Sequence, residues 1–393
     1  MQTIYDTIQG IKYSYFFTAK GVQESFITAD ASSGLSFEAA ADELADKYSA
    51  VLLENALDET TLQFTRFYLS DITNDYNVLL KTRIFQLVSG GAVSFVQQRP
   101  LGGGQLGMLV YHIKSECGSF RQAFYRHRSA YGSQKVCATG KNYSLLWTTG
   151  FTDSAAPDSE IQTQNIFSEL SSTLRDCRMT LRRNTVRTWI YVRDIDNNYA
   201  GMVKARRELF DKIDLTSKTR YIASTGIEGK AADPHCLLTL DALSIGNINE
   251  EQIIRMEAEE NLSSTSVYGV TFERGLRIRF GDRSHLYISG TASIDNKGNI
   301  LHEGDVCRQL ERTIDNIEAL LSPHNATLND MQYFILYLRN PLHFPLITDI
   351  LSRRIPEGIP LLAVEGAVCR PGWLVEIEGV GITPDNNDFP EFL

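Results

Sequence analysis

The chain has 393 residues, 43% of them hydrophobic and 22% charged, and a net charge of −10 at neutral pH. These proportions exclude a disordered chain, the lack of any run of 18 apolar residues excludes a membrane-spanning helix, and the acidic balance argues against nucleic acid, because displacing counterions from phosphates needs a basic surface. Six scattered cysteines without a CxxC pair, and seven histidines without HExxH or HxH spacing, give neither a disulfide framework nor a metal site.

The start, MQTIYDTIQGIKYSYFF, lacks the basic segment and unbroken apolar core of a secretory signal, so a cytoplasmic protein is expected. The first strand signal, YSYFFTA at 13–19, precedes a helix with Phe37, Ala41, Leu44, Tyr48 and Val51 at helical spacing. FTRFYLSDITNDY at 64–76 then reads as a strand and turn, and a further strand pair ends at LVYHI, 109–113. RPLGGGQLG at 99–107 lacks the GK[ST] ending of a phosphate loop and reads as a hairpin tip.

The same order then returns twice. YSLLWTTG at 143–150 leads to a helix with Phe167, Leu170, Leu174, Cys177 and Leu181, to RTWIYVRDIDNNY at 187–199, and to LLTLDALSI at 237–245. HLYISGTAS at 285–293 leads to Val306, Leu310, Ile314, Ile317 and Leu321, to YFILYLRNPLHF at 333–344, and to LVEIEGVGI at 374–382. Each copy places a tyrosine in its central strand, at Tyr68, Tyr191 and Tyr337. Polar connectors, RHRSAYGS at 126–133 and EAEENLSSTS at 257–266, set boundaries that give units 1–128, 129–262 and 263–393.

Each unit reads as ββ-α-β-α-ββ, an α+β layer with both helices on one sheet face. The other face needs a cover, and the simplest is another copy, which predicts three sheets around a common axis in a pseudo-threefold barrel. In the terminal strand, Leu374, Glu376 and Glu378 share a face, with Val375 and Ile377 on the other. Two carboxylates so close on a partly buried face repel, and one is expected to stay protonated near neutral pH and act as an acid.

The last unit resembles the RidA/YjgF family. The resemblance rests on SGTASIDNKG, the Q-x-x-x-T-x-x-N-I helix at Gln309 to Ile317, and the VEIE strand. It implies the fold of homotrimers whose clefts lie between subunits. VRTWIYVRDI with YAGMVKARRELF, then ASTGIEG, make residues 120–382 similar to the chorismatases, which fold as one chain shaped like a RidA trimer and release pyruvate from chorismate. That resemblance implies no metal or redox cofactor, a small dicarboxylate substrate, no nucleic-acid or membrane partner, and a monomer with internal pseudo-threefold symmetry. It makes Glu376 the catalytic acid. Cys369, seven residues upstream, stands where 3-hydroxybenzoate-forming relatives carry a cysteine, and Gly290 leaves room for the ring.

A dicarboxylate needs arginines, and Arg187, Arg220 and Arg274 are the candidates, with Tyr268 as a further donor. Arg220 is expected near the place of the deaminases' carboxylate-binding arginine, whereas Pro360 and Leu361 stand there in the third unit. At the position of Glu376, Tyr111 and Thr239 are expected in the other units, which leaves one acid-bearing cleft, between units two and three. A RidA-like imine or enamine deaminase and a non-catalytic binder of small carboxylates are the alternatives.

Overall fold

A computed structural model describes residues 2–18, 21–115, 121–126, 134–265 and 269–393. Tyr268 and nearly all of the connector at 126–133 lie outside the described residues. Three six-stranded sheets follow one another along the chain. The first holds β1 (Gln2–Ile8), β2 (Ile11–Phe17), β3 (Val22–Asp30), β4 (Leu62–Leu69), β5 (Ala92–Gln97) and β6 (Leu106–Ser115), with helices α1 (Phe37–Asn55), α2 (Ile72–Leu79) and α3 (Arg83–Val88). The second holds β7 (Arg121–Arg126), β8 (Gln134–Thr139), β9 (Ser144–Phe151), β10 (Thr185–Val192), β11 (Ala223–Glu228) and β12 (Leu238–Gly246), with α4 (Ser159–Asp176), α5 (Leu181–Asn184) and α6 (Ile195–Lys212). The third holds β13 (Ile253–Arg255), β14 (Gly275–Arg279), β15 (Arg283–Ala292), β16 (Met331–Leu338), β17 (Leu361–Glu365) and β18 (Val375–Pro384), with α7 (Val306–Leu321) and α8 (Phe344–Arg354).

The strand orders are β1-β2-β3-β6-β4-β5, β7-β8-β9-β12-β10-β11 and β13-β14-β15-β18-β16-β17, the same order three times. Each unit therefore opens with three strands, one more than the sequence pattern showed. The second and third sheets already begin at Arg121 and Ile253, upstream of the boundaries expected near residues 128 and 262. The 99–107 stretch is not a hairpin tip. β5 and β6 both flank β4 and do not pair with each other, so the glycine-rich segment crosses over β4.

Sheet alternation sorts the side chains into layers. On β4, Phe67 and Leu69 join the helix-side core with Leu44, Tyr48 and Val51 of α1, while Phe64 and Tyr68 face the opposite way into a core that all three sheets share. On β10, Ile190 and Val192 pack under α4 and α6, while Trp189 and Tyr191 enter that shared core. Between sheets, β5 packs on β9, β11 on β15 and β17 on β3, a cyclic order. The expected closed barrel does not form. Among the described residues the sheets join through packed side chains, buried ion pairs such as Arg66 with Asp241 and Arg187 with Glu378, and single bridges such as Ala223 with Glu273 and Pro100 with Val364, and no hydrogen-bonded ladder runs on from one sheet to the next. No helix of the described residues is long and apolar enough to cross a membrane, which says nothing of strands.

Candidate active site

Where β11 of the second sheet meets β15 of the third, a narrow cleft of about 470 Å³, counting its open mouth, lies against β18. Its floor is set by a β-bulge. The β15/β18 register shifts between Ile288 and Thr291, and Gly290 lies in the shifted stretch, directly over Glu376. A Cβ on Gly290 would collide with the Glu376 carboxyl, so the close approach requires glycine.

Glu376 and Glu378 share a strand face, as the alternation predicts, yet the fold treats them in opposite ways. Glu378 is fully engaged. It accepts from Arg187 Nη2 at 2.5 Å, from Trp189 Nε1 and Tyr337 Oη at 3.0 Å each, and from the Thr225 hydroxyl. Thr225 Oγ1 in turn accepts from Arg187 Nη2 at 2.7 Å and from the Gly290 N–H at 3.0 Å. Glu376 is 5% exposed, and its Oε1 is buried with no hydrogen-bond partner among the described residues. Burial pushes its pKa up to about 8; the neighbouring Glu378 charge adds to this, and Arg187 and Arg274 oppose it. At neutral pH this carboxyl carries a proton.

Asp241 repeats the Glu378 device one unit earlier. It occupies the same register position, opposite Trp189 on β10 as Glu378 is opposite Ile335 on β16, and it accepts from Arg66 Nη2 at 2.8 Å and Ser94 Oγ at 2.5 Å, both from the first unit. The acid that differs is Glu376. Its place is taken in the second sheet by Thr239, opposite Tyr191 as expected, but in the first sheet by Gly107, opposite Tyr68. Tyr111 lies four residues on, opposite Phe64, because β6 begins at Leu106, three residues before the LVYHI segment.

Of the expected binding arginines, Arg274 is in the cleft with Glu376, over the Phe272 ring at 5.7 Å and donating to the Ser263 carbonyl at 3.1 and 3.2 Å. Arg187 is 1% exposed, tied to Glu378 and stacked on Trp189 at 4.8 Å, so it shapes the site from behind. Arg220 lines a different cleft altogether. The register explains this: Leu361 pairs with Phe334 as Ser224 pairs with Thr188, each three residues before the repeated tyrosine, so Ser224 is the counterpart of Leu361. Cys369 borders the cleft, but burial and the Glu376 charge push its thiol up to about 12, with a Tyr199 hydrogen bond opposing. A thiol so weakly acidic is a poor nucleophile.

Arg206 was not anticipated. It is 2% exposed on α6; Nε donates to Thr271 Oγ1 at 3.0 Å and Nη1 to Ser224 Oγ at 3.4 Å, while Nη2 has no partner among the described residues. The signal was present in the sequence, since Met202, Arg206 and Phe210 fall at i, i+4 spacing on the buried face of α6. An arginine inside an apolar stripe needs an anion or a dense set of acceptors. Trp373 closes the cleft wall, anchored by its Nε1 donating to the Ser293 carbonyl at 2.8 Å. Among the described residues no three His, Cys, Asp or Glu side chains gather as metal ligands. The cleft thus joins a protonated carboxyl to two guanidiniums, an arrangement for binding an anion and giving it a proton.

A crystal structure of a chorismatase superposes on 93% of this chain and 100% of its own length, with a TM-score of 0.64 at 18% identity. The chain resembles the chorismatase branch of the RidA-like proteins. The 3-hydroxybenzoate synthase of Streptomyces hygroscopicus is 25% identical over 214 residues, which cover 49% of this chain and 62% of that protein. The family model for Endoribonuclease L-PSP matches residues 279–383. The 3-aminoacrylate deaminase RutC of Acinetobacter baylyi is 27% identical over 96 residues, 24% of this chain and 76% of that one. The chorismatase-like fold spans all three units, whereas the deaminase-like similarity is confined to about a quarter of the chain.

Proposed function

We propose that the chain is a chorismatase-like enzyme that releases pyruvate from chorismate, with Glu376 as the acid. The observation that carries this reading is the buried Glu376 carboxyl, protonated at neutral pH and with no hydrogen-bond partner for its Oε1 among the described residues, in a cleft with Arg206 and Arg274. The two guanidiniums take the two carboxylates of the substrate. The Glu376 proton goes to the terminal methylene carbon of the enol ether, and the cation that forms on the ether-bearing carbon is shared with its oxygen. Water adds there and loses a proton to the Glu376 carboxylate; collapse of the hemiketal then frees pyruvate and leaves the ring as an alcohol. Without water, the atoms of chorismate divide into pyruvate and a hydroxybenzoate, and the 3-hydroxybenzoate synthase relative favours that product. Cys369, as a neutral thiol, serves as a donor or a spacer for the ring.

The cyclic packing of β5 on β9, β11 on β15 and β17 on β3 supports an intrachain pseudo-trimer, with the acid in the cleft between its second and third units; a cytoplasmic monomer is part of the same proposal. Coupled detection of pyruvate after mixing the folded protein with chorismate tests the activity. Glu376→Gln should lower the rate by on the order of a hundredfold or more. Absence of pyruvate above background, or an unchanged rate in the variant, refutes the reading; ammonia released from an amino-acid-derived imine would point instead to deaminase chemistry.

A further inference from the structure

Arg220 was expected to meet the substrate beside Glu376, and the fold puts it elsewhere. It stands at the end of the second unit, 5% exposed, in a cleft with Arg182, Arg183, Asn249 and Glu250. The backbone fixes its guanidinium. Nη1 donates to the Tyr221 carbonyl at 3.2 Å and to the Thr185 carbonyl at 3.5 Å, and Nη2 donates to the Arg182 carbonyl. Carbonyl oxygens orient the group but bring no negative charge to match it. Among the described residues no carboxylate forms an ion pair with Arg220, a rare condition for a guanidinium so deeply buried.

Its neighbours add positive charge. Arg182 divides its Nη2 between Asp214 at 3.1 Å and Glu250 at 3.7 Å, two carboxylates that are 64% and 65% exposed and therefore well screened. Arg183 is exposed at the same mouth. Three guanidiniums thus face one lining carboxylate, Glu250. An arginine cannot shed its charge by deprotonation; Glu250 and the buried Glu273 offset part of the Arg220 charge from nearby, but neither forms an ion pair with it, so the cleft stays open to an anionic ligand.

We infer that this cleft is a second anion site, separate from the Glu376 cleft, taking a small carboxylate or phosphate dianion on the Arg220 guanidinium with Arg182 and Arg183 at the mouth. The inference does not depend on what reaction the Glu376 cleft performs. Calorimetric titration of the full chain with inorganic phosphate, and separately with malonate, at an ionic strength held constant with sodium chloride, should show saturable binding of one anion per chain in this cleft, besides any malonate taken by the Glu376 cleft. Arg183→Glu changes only an exposed side chain and should weaken that binding by on the order of tenfold or more, and Arg220→Lys, which keeps the charge but loses the fork, should weaken it as well. Arg206→Ala, in the other cleft, should leave it unaltered. Tighter phosphate binding would mark the ligand as a phosphate ester and tighter malonate binding as a dicarboxylate. Saturation by neither anion, or binding that survives Arg183→Glu but is lost in Arg206→Ala, would overturn the inference.

Discussion

Glu376→Gln tests the electrostatics of the cleft without any substrate. In the folded chain the pKa of this carboxyl rises from 4.5 to about 8, because burial penalises the charged form. Between those values the folded chain keeps a proton that the unfolded chain has released. Stability therefore falls as pH rises through this window, by about 1.4 kcal/mol per pH unit. Below the unfolded value the group contributes no penalty. Above about pH 8 the full penalty, on the order of 5 kcal/mol, is present. Glutamine has nearly the same shape and no proton to lose, so the variant should match the parent in acid and become progressively more stable than it toward alkaline pH. Urea unfolding of both proteins from about pH 5 to about pH 9 gives the difference as the shift in midpoint times the common slope. All other titrating groups are shared and cancel. Parallel profiles across that range would refute the raised pKa, and with it the physical basis for calling Glu376 an acid at neutral pH.

Arg187→Met should destabilise the chain by roughly 3–5 kcal/mol in the same urea assay, because it leaves the Glu378 charge buried without its cation; a loss below about 1 kcal/mol would show that the pair is not buried. Gly290→Ala pushes a methyl group into the Glu376 carboxyl and should cut pyruvate release by on the order of tenfold or more while the protein still folds, whereas undiminished release would place the acid elsewhere. The Cys369 thiol, half-buried and pushed up to about 12, should resist iodoacetamide near pH 8 in the folded protein and react once unfolded; rapid labelling of the native thiol would contradict its raised pKa.

Much of the architecture could be read from local patterns. Repeated apolar strands and 3,4-spaced helices depend on side chains a few residues apart, so the threefold repeat of strands and helices along the chain and the common face of Glu376 and Glu378 were legible without coordinates. The opening strand of each unit was not. β1, exposed or half-buried at every position, and the three-residue β13 carry little apolar periodicity, since edge strands gain their partners from the sheet rather than from burial. The barrel was misread for a related reason. Covered sheet faces imply packing, but continuous pairing between sheets requires matched edges, and composition says nothing about those.

The site divides along the same line. The sequence by itself determined that two carboxylates lie two residues apart on one strand of the third unit, and that a glycine stands in SGT nearby. Which of the two carboxylates is protonated was decided by tertiary structure, through partners that lie far away in sequence. Arg187, Trp189 and Thr225 reach Glu378 from the second unit, and Glu376 is left facing the cleft. The same long-range packing drew Arg206 into that cleft, enclosed Arg187 behind it and sent Arg220 to another. A residue's charge is local, but its counter-charge and its exposure to water are properties of the assembled fold.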